Sequence, residues 1–373
     1  MRSRSKHFHA AGFDSRVIPA LELSNDQITA WEECCRTNAH LNSPFFSPHY
    51  TKAAAVAHGR VYVCVILHQG QVIGFLPFQF RNALHQRLGC AERVGGEMTD
   101  YFGLIAKPGL RIAACDLLRL AGLEHLYFTH LDQTQSIYGL KGEQPETGLL
   151  LKLEPGIDYW TQELRPANRK LASETERLER LVQREHGPLR FCLAESAGAQ
   201  PLKDLIRCKG EQYVHSGREN MFVAPWRRRL VEILAEMRES SCTGMLSTLF
   251  AGDTWLASHF GLRSGGVLHY WFPVYNPDMR RYAPGRLLMK NIIQNAHAAG
   301  INLVDRGAGD TLAKRQLTNQ EHLLYRGAWY RPGIRSTVFR LRMSLKWRLD
   351  RRLAAWAKSD PLASSSALKE TGH

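Results

Sequence analysis

Residues 281–292 read RYAPGRLLMKNI, which places a Pro-Gly pair directly before a segment of helical apolar periodicity. Proline suits the first turn of a helix, because the N–H groups of that turn have no intrahelical partner. Glycine beside it leaves the backbone uncovered, and uncovered N–H groups at a helix N-terminus attract phosphate. The stretch therefore predicts a helix start at Pro284, either as a plain capped surface helix or as a phosphate site.

The segments around this helix predict a small α/β unit. Residues 243–263, TGMLSTLFAGDTWLASHFGLR, are typical of a strand hairpin. The next predicted strand is VLHYWFPVY, residues 267–275, in which Pro273 is expected to end ladder pairing and let the strand splay. The predicted helix that follows ends near Gly300, and INLVD, residues 301–305, has the composition of a buried strand.

The same order of segments occurs in the first half of the chain. Residues 60–81 predict a hairpin, and a Pro-Gly pair at 108–109 precedes a helical pattern over 110–121. A strand is then predicted over 124–131, EHLYFTHL. Two occurrences of one order indicate a duplicated unit. Alternatively, the order is one that α/β chains commonly have, and the two halves are similar without duplication.

The predicted fold class is therefore α/β (α+β), with two tandem units that each contain a mixed, mostly antiparallel sheet flanked by helices. A length of 373 residues suits two domains better than one core. The predicted divisions are 1–157 for the first unit, 158–187 for a charged linking helix, 188–333 for the second unit and 334–373 for a tail.

The tail predicts a basic amphipathic helix over 334–358. Its apolar residues recur at spacings of three and four: Val338, Leu341, Leu345, Leu349, Leu353 and Trp356. Lysine and arginine occupy the other faces. This helix either packs on the body of the protein with a solvated basic face or docks on an anionic membrane surface.

The charge balance predicts an anionic partner. The formal net charge is +14 and the pI is about 9.6, which suits nucleic acid, an acidic lipid surface or a phosphorylated ligand. No apolar run reaches the roughly 20 residues that span a bilayer, and the N-terminus has no apolar segment typical of a secretion signal. The eight cysteines form no CxxC pair, so we expect a cytoplasmic protein, in contact with the inner face of the membrane if the tail docks there.

Several common catalytic motifs are missing from the sequence. Residues 305–314, DRGAGDTLAK, follow a predicted strand, but Leu312 stands where a dinucleotide fingerprint needs its third glycine. The chain has no phosphate-loop motif, no H-E-x-x-H zinc motif and no G-x-S-x-G nucleophile elbow. We therefore predict no metal site, and neither a Rossmann nor a P-loop function.

Three motifs of the second half carry a family resemblance. They are Lys209-Gly210-Glu211-Gln212-Tyr213, Ala283-Pro284-Gly285-Arg286-Leu287-Leu288, and Asp305-Arg306-Gly307-Ala308-Gly309-Asp310 with Lys314 after it. With these motifs the second half resembles the acyltransferases of the GNAT superfamily. It is most similar to the branch named for the cellulose-biosynthesis protein CelD, which is related to the FemAB peptidyltransferases. This branch carries two GNAT-like units, which agrees with the duplication.

The sequence departs from the pattern of this branch at three positions. Ala283 replaces the usual serine, which removes one hydroxyl donor at the helix start. Arg306 replaces phenylalanine, and Ala313 stands where a tyrosine often precedes the lysine. The changes leave donor binding as the resemblance implies, whereas they alter the surroundings of the acceptor.

The resemblance implies an acyl-CoA donor, most simply acetyl-CoA, and an acceptor amine or hydroxyl on an envelope saccharide or its precursor. The pyrophosphate is expected on the N–H groups of Gly285, Arg286 and Leu287, and pantetheine along the edge of 270–275. The full set of expected donor contacts is Tyr275, Pro284, Gly285, Arg286, Leu287, Leu288 and Lys290.

Acyl transfer needs a group that takes or directs the proton of the nucleophile, and a group that protonates the leaving thiolate. Asp305 is expected to orient or deprotonate the acceptor, with capping of the next turn as the alternative. His259 is a general base or a core histidine. His269 and Tyr270 either protonate the thiolate or pack in their strand.

Two further groups complete the expected site. Lys314 binds an acidic acceptor or a phosphate, unless it is an ordinary solvated lysine. Asp100 and Tyr101 of the first unit are candidates to line the acceptor cleft between the units.

Two other functions remain open on the sequence. The net charge and the basic helix over 159–187 allow a Fem-like aminoacyltransferase that uses charged tRNA, although acyl-CoA is the favoured donor. The departures from the family pattern also allow a degenerate acyltransferase that serves as a membrane-surface or nucleic-acid-binding module.

Overall fold

A computed structural model describes residues 6–195 and 199–333. Its strands are β1 (Lys6–Ala10), β2 (Phe13–Pro19), β3 (Val61–His68), β4 (Gln71–Gln79), β5 (Cys90–Glu92), β6 (Ile105–Ala106), β7 (His125–Asp132), β8 (Gln144–Lys152), β9 (Leu189–Glu195), β10 (Arg238–Glu239), β11 (Cys242–Ala251), β12 (Thr254–Ser264), β13 (Val267–Tyr275), β14 (Leu303–Ala308) and β15 (Gln320–Tyr330). Its helices are α1 (Asn25–Thr37), α2 (Pro48–His58), α3 (Ala83–Arg87), α4 (Ala114–Ala121), α5 (Arg165–Ala167), α6 (Arg169–His186), α7 (Ala199–His215), α8 (Pro225–Glu236), α9 (Pro284–Ala296) and α10 (Leu312–Arg315).

The strands form one continuous mixed sheet with helices packed against it. Their order is β1-β2-β3-β4-β5-β7-β15-β8-β14-β13-β12-β11-β10, while β6 pairs with β4 and β9 with β11. Most neighbours are antiparallel. The parallel strand pairs within the described residues are β5 with β7 and β13 with β14, one in each predicted unit. The predicted fold class, two similar units with mostly antiparallel sheets, is confirmed.

The two units exchange their last strands. The strand β8, which belongs by sequence to the first unit, pairs with β14 of the second, and β15 of the second unit pairs with β7 of the first. The two exchanged strands also pair with each other over seven registered positions, from Gln320↔Leu150 to Arg326↔Gln144. The division at residue 157 therefore separates the units along the chain and not in space.

Both predicted hairpins are confirmed, and turn chemistry explains the first. Gln69 and Gly70 both have positive φ, at 51° and 78°, as the tight turn between β3 and β4 requires. The hairpin β11–β12 is also antiparallel, with a bulge at Leu249/Phe250. The first long helix, α1, begins after Ser24, whose side chain forms a capping box with Gln27.

Two expectations about proline are wrong. Pro108-Gly109 does not begin a helix, because α4 begins at Ala114 and Gly109 lies in a turn with φ of 89°. Pro273 does not end its strand, since β13 continues to Tyr275 and Pro273 keeps its register with His259. A strand tolerates proline where no ladder hydrogen bond needs its N–H.

A hydrophobic core joins the two units. Phe45 of the first unit contacts the rings of His269 and Trp271 on β13, with centroids 4.8 and 5.4 Å apart. The same buried cluster includes Trp31 and Phe75 from the first unit. The faces of the two units that meet here are therefore fixed by packing, which holds first-unit side chains against β13.

The predicted basic helix over 334–358 lies outside the described residues. Of the helices in residues 6–195 and 199–333, none has the length and apolar character needed to cross a membrane.

Candidate active site

A buried histidine between two carboxylates lies where the units meet. His269 Nε2 is 2.8 Å from Asp100 Oδ2, and His269 Nδ1 is 3.3 Å from Asp305 Oδ2. The side chains of His269 and Asp305 are 1% and 3% exposed, whereas that of Asp100 is 24% exposed. We call these three residues the Asp–His–Asp cluster. Asp100 is the most exposed member of the cluster.

The three residues come from distant parts of the chain. His269 and Asp305 are a registered pair of the parallel strands β13 and β14, so the sheet itself aligns them. Asp100 lies on the loop after β5 of the first unit. Its position depends on the packing of the two units, which includes the contact of Phe45 with His269.

The charges of the cluster follow from these contacts. Burial by itself would lower the pKa of His269, but the charge of Asp305 and the hydrogen bond to Asp100 raise this pKa to about 9. Burial opposes ionisation of Asp305, yet the positive charge of His269 lowers the pKa of Asp305 to about 2. Hydrogen bonding to His269 likewise lowers the pKa of Asp100 against the effect of burial. At neutral pH the cluster holds one imidazolium and two carboxylates.

Asp305 caps the turn after its strand, as the alternative role predicted, and its second carboxylate oxygen faces His269. Its Oδ1 accepts a hydrogen bond from the N–H of Gly307 at 2.8 Å, which caps the turn after the strand. Its Oδ2 faces His269. Gly307 has φ of 65°, and a Cβ at this position would lie 3.4 Å from Asp100 Oδ2, so glycine suits both the turn and the closeness of Asp100.

Two aromatic side chains extend the cluster. Tyr101 Oη lies 2.9 Å from His322 Nε2, and the two rings stack with planes 5° apart. The Tyr101 hydroxyl also contributes to lowering the pKa of the Asp305 carboxyl. His322 belongs to the exchanged strand β15, so the exchange brings a second-unit residue to the first-unit side of the site.

The strands β13 and β14 part directly beyond the cluster. Their register runs over three pairs, Val267↔Leu303, Leu268↔Val304 and His269↔Asp305. On its other side β14 pairs with β8 from Leu303 to Ala308, with a register shift between Asp305 and Ala308, while β13 continues to Tyr275 along β12. The edge of β13 over 270–275 therefore lacks a strand neighbour on the β14 side within the described residues. The parting of β13 from β14 thus begins after His269 and is not caused by Pro273, which keeps its pairing with β12.

Comparison with known protein families gives a match in the second half of the chain. The family described as "Acetyltransferase (GNAT) domain" matches residues 169–315. The chain carries a GNAT acetyltransferase domain. Its first residues lie in α6, which the sequence analysis treated as a linking helix, and its last residues lie before β15.

Solved structures share the fold over most of the chain. FemX aligns with 10% identity over 84% of this chain and 96% of its own, with a TM-score of 0.51. The C-terminal domain of a protein described as a lysylphosphatidylglycerol synthetase, from Agrobacterium fabrum, aligns with 11% identity over 85% and 96%, with a TM-score of 0.50. No curated protein sequence matches the chain. Most of the chain therefore shares the fold of these two proteins.

In the GNAT domain, His259 and Tyr270 form a buried stacked pair. Their ring centroids are 4.1 Å apart, and His259 Nε2 accepts the N–H of Trp271 at 3.2 Å. Burial lowers the pKa of His259 to about 3 and raises that of Tyr270 to about 12. Arg306, the residue that replaces phenylalanine, lies over the Tyr270 ring at 5.8 Å. His259 is thus a neutral core histidine in this structure, and Tyr270 is 7% exposed.

Two lysines lie near the parting of β13 and β14. Lys209 of α7 donates to the carbonyl of Pro273 at 3.0 Å and to Gln212 Oε1 at 2.9 Å. Burial, together with Arg218 and Lys314, lowers the pKa of Lys209 to about 8. Lys314 Nζ donates to the carbonyl of Ala308 at 2.6 Å. Burial and Arg306 lower the pKa of Lys314, while Asp100 and Asp305 oppose this shift.

The predicted helix start at Pro284 is present, and the residue before it has an unusual conformation. Ala283 has φ of 50°, a left-handed conformation that is uncommon for alanine. Its carbonyl accepts the N–H groups of Arg286 and Leu287 at 2.9 and 3.2 Å. Of the three N–H groups predicted to hold pyrophosphate, only that of Gly285 makes no such bond within the described residues. A Cβ on Gly285 would meet nothing within 4 Å.

The other predicted donor contacts divide into core and surface residues. Leu287 and Leu288 are fully buried in the core of the GNAT domain, and Pro284 is buried as well. Lys290 is also buried, pairs with Glu179 of α6 and lies over the ring of Trp160. Tyr275 at the end of β13 is 36% exposed.

Arg286 is half-buried beside Glu174, and its Nε has no hydrogen-bond partner within residues 6–195 and 199–333. Arg286 is therefore the side chain of this helix start that has donor capacity left for a phosphate.

The structure brings some predicted residues together and adds others. Asp305, His269 and Asp100 meet, whereas His259 of β12 and Tyr270 of β13 form a separate buried pair. His130, which sequence reasoning did not single out, lies with its Nε2 4.0 Å from Asp100 Oδ1. The only sequence signal for His130 was a histidine within an otherwise apolar strand, which is a common feature of core strands.

Proposed function

We propose that the protein transfers an acyl group from an acyl-CoA thioester, most simply acetyl-CoA, to an amine or hydroxyl acceptor. The parting of β13 from β14 beyond the His269–Asp305 pair is the observation that carries this proposal. Backbone groups along 270–275 suit the amides of a pantetheine arm. The start of α9 at the end of the same strand suits a pyrophosphate, with Gly285 and Arg286 as its contacts.

The Asp–His–Asp cluster is suited to stabilise the acceptor nucleophile as it attacks. With two carboxylates and one imidazolium it carries a net charge of −1, which stabilises the positive charge that develops on an amine nitrogen during attack. Asp100, its exposed member, is positioned to accept a hydrogen bond from the acceptor. Asp305, with its low pKa and buried position, orients His269 and is a weak proton acceptor. This favours the orienting role of Asp305 over deprotonation.

Lys209 is suited to act as the acid that protonates the leaving thiolate. In the transfer, the acceptor nitrogen or oxygen bonds to the carbonyl carbon, the carbon–sulfur bond breaks, the acceptor proton passes to water, and the thiolate takes a proton from Lys209. Lys209 reaches the edge of β13 at the Pro273 carbonyl. A pKa of about 8 makes Lys209 largely protonated at neutral pH and a better acid than an ordinary lysine. Lys314 remains a candidate contact for an acidic acceptor.

An envelope saccharide or its precursor is the acceptor that the family resemblance implies. The cations around the site, Lys209, Arg218, Arg306 and Lys314, are equally compatible with the phosphates of a charged tRNA, so the donor is the point to test.

The thermal unfolding temperature with each donor tests this choice. We expect saturable stabilisation of the full chain by acetyl-CoA, of about 3 kcal/mol at a hundredfold excess over the dissociation constant. Deacylated tRNA is expected to bind only with the steep salt dependence of nonspecific phosphate contacts. Stabilisation by aminoacyl-tRNA at physiological salt, without any effect of acetyl-CoA, would replace the proposal with the Fem-like one.

A further inference from the structure

The first unit has its own parallel strand pair with a cavity beside it. The strands β5 and β7 are in register over three pairs, Cys90↔His125, Ala91↔Leu126 and Glu92↔Tyr127. The chain then loops away through Gly95 and Gly96, both with positive φ, and returns to β7 at Phe102↔Leu131. This repeats the β13–β14 pair of the GNAT domain, which also has three register pairs.

A cavity of about 730 Å³ lies at this position. Its inner wall includes Arg93 and His130, and its mouth includes Arg218 from the connection between α7 and α8 and Arg326 from β15. We call it the first-unit cavity.

The first-unit cavity has an excess of positive charge. Of its lining carboxylates, Glu92 pairs with Arg81 and Glu97 pairs with Arg227, which leaves Glu219. Within the described residues, Arg93, Arg218 and Arg326 have no carboxylate at ion-pair distance. The cavity therefore contains three guanidinium groups without an ion-pair partner in this part of the chain and one unpaired carboxylate, that of Glu219.

Arg93 is the member that points most strongly to a ligand. It is 6% exposed, and its Nε and Nη1 donate to the Gly96 carbonyl at 2.6 Å and to His130 Nδ1 at 2.8 Å. Neither partner is an anion. The carboxylates of Asp100 and Glu92 attract Arg93 only from beyond ion-pair distance, and burial lowers the pKa of Arg93. A bound carboxylate or phosphate supplies a direct counter-charge.

His130 connects the cavity to the Asp–His–Asp cluster. Its Nδ1 accepts hydrogen bonds from Arg93 and from Thr129 Oγ1, so the ring proton lies on Nε2, which faces Asp100. Burial and Arg93 lower the pKa of His130 to about 4, which keeps the ring neutral. Its backbone has φ of 59°, a strained conformation for histidine of the kind that persists at functional sites.

We propose that the first-unit cavity binds the carboxylate or phosphate group of the acceptor, with Arg93, Arg218 and Arg326 as its contacts. The remainder of the acceptor extends past His130 to Asp100. The identification of the ligand as the acceptor rests on the proposed function, whereas the anion site itself does not.

Hydrogen exchange with mass spectrometry tests the site on the full chain. The probes are inorganic phosphate and succinate, compared with potassium chloride at equal ionic strength. We expect saturable protection in peptides that cover 90–97 and 125–132. In the double variant Arg218→Gln/Arg326→Gln, half-saturation is expected at about tenfold higher probe concentration, because charge-assisted hydrogen bonds are lost.

The matched control is Arg36→Gln/Arg119→Gln, which removes two exposed arginines that pair with Glu33 and Asp116. It is expected to bind the probes like the wild type. A response to phosphate alone, or to succinate alone, indicates which anion the ligand carries. Protection that chloride reproduces, or that the Arg218/Arg326 variant retains in full, overturns the proposal. Anion binding without stabilisation by acetyl-CoA leaves the site in place and removes only the acceptor assignment.

Discussion

Replacing His269 by glutamine is expected to lower the free energy of unfolding by roughly 3–5 kcal/mol at pH 6, because it breaks a buried charge network. The imidazolium lies between Asp100 and Asp305 and is 1% exposed. Glutamine has a similar size and retains hydrogen-bonding groups, but it leaves two carboxylates facing each other without a positive charge. Denaturant unfolding at pH 6 measures the loss, and the exposed His297→Gln serves as the control.

The pH dependence of this effect has a definite sign. The pKa of His269 is raised from 6.5 to about 9 in the folded chain, so its stabilising contribution is complete below pH 6.5 and disappears as the pH rises through about 9. The difference between wild type and His269→Gln is therefore expected to shrink at pH 10. Adding Asp305→Asn to the variant removes one of the facing carboxylates and is expected to recover part of the loss. An equal loss at pH 6 and pH 10, with no recovery in the double variant, would show that packing and not charge holds the cluster.

Replacing Lys209 by arginine is expected to reduce kcat for acyl transfer by about a hundredfold, the lower end of what general acid catalysis contributes. Arginine keeps the positive charge and a donor for the Pro273 carbonyl, but its pKa is too high for it to release a proton. The wild type needs Lys209 protonated, so its kcat is expected to fall as the pH rises through about 8. Release of CoA thiol from acetyl-CoA in the presence of an amine acceptor measures both effects.

The comparison of Lys209→Arg with Lys209→Met separates catalysis from structure. The methionine variant also loses the tie between α7 and β13, so it is expected to be less stable than the arginine variant as well as slow. If Lys209→Arg retained the wild-type kcat and the same decline near pH 8, another group would protonate the thiolate.

Local patterns were sufficient to predict much of the GNAT domain. The hairpin over 243–263, the strand over 267–275 and the helix start at Pro284 depend on periodicity and turn residues close in sequence. Asp305 and His269 could also be named as candidate residues, because both lie on strand segments of one unit. The register that makes them a pair is a property of parallel strands within that unit.

Contacts between distant segments could not be predicted in the same way. Asp100 precedes His269 by 169 residues, and only the shared core around Phe45 brings it to the imidazole. The exchange of β8 and β15 has no local sequence signal, since the pattern of each strand is compatible with pairing in either unit. The ion pair of Lys290 could not be predicted either. Helical spacing indicates which face of α9 carries Lys290, but not that the Glu179 carboxylate lies opposite it.

In the proposed complex, an acyl-CoA donor lies along the edge of β13 that β14 leaves uncovered, with its pyrophosphate at the start of α9. Gly285 allows a direct test, because a Cβ there meets nothing within 4 Å and a glutamate in the first turn favours the helix dipole. The fold of Gly285→Glu is therefore expected to be intact, while its carboxylate repels the phosphates. The variant Gly285→Gln is the matched control of equal size without the charge.

The deciding measurement is the dissociation constant of acetyl-CoA for the wild type, Gly285→Gln and Gly285→Glu, determined by calorimetric titration. We predict saturable binding to the wild type, a smaller change in the glutamine variant and a further loss of about tenfold in affinity, or 1.4 kcal/mol, from glutamine to glutamate. Equal affinity of the glutamine and glutamate variants would contradict the placement of the pyrophosphate, and absence of binding to the wild type would contradict the donor itself.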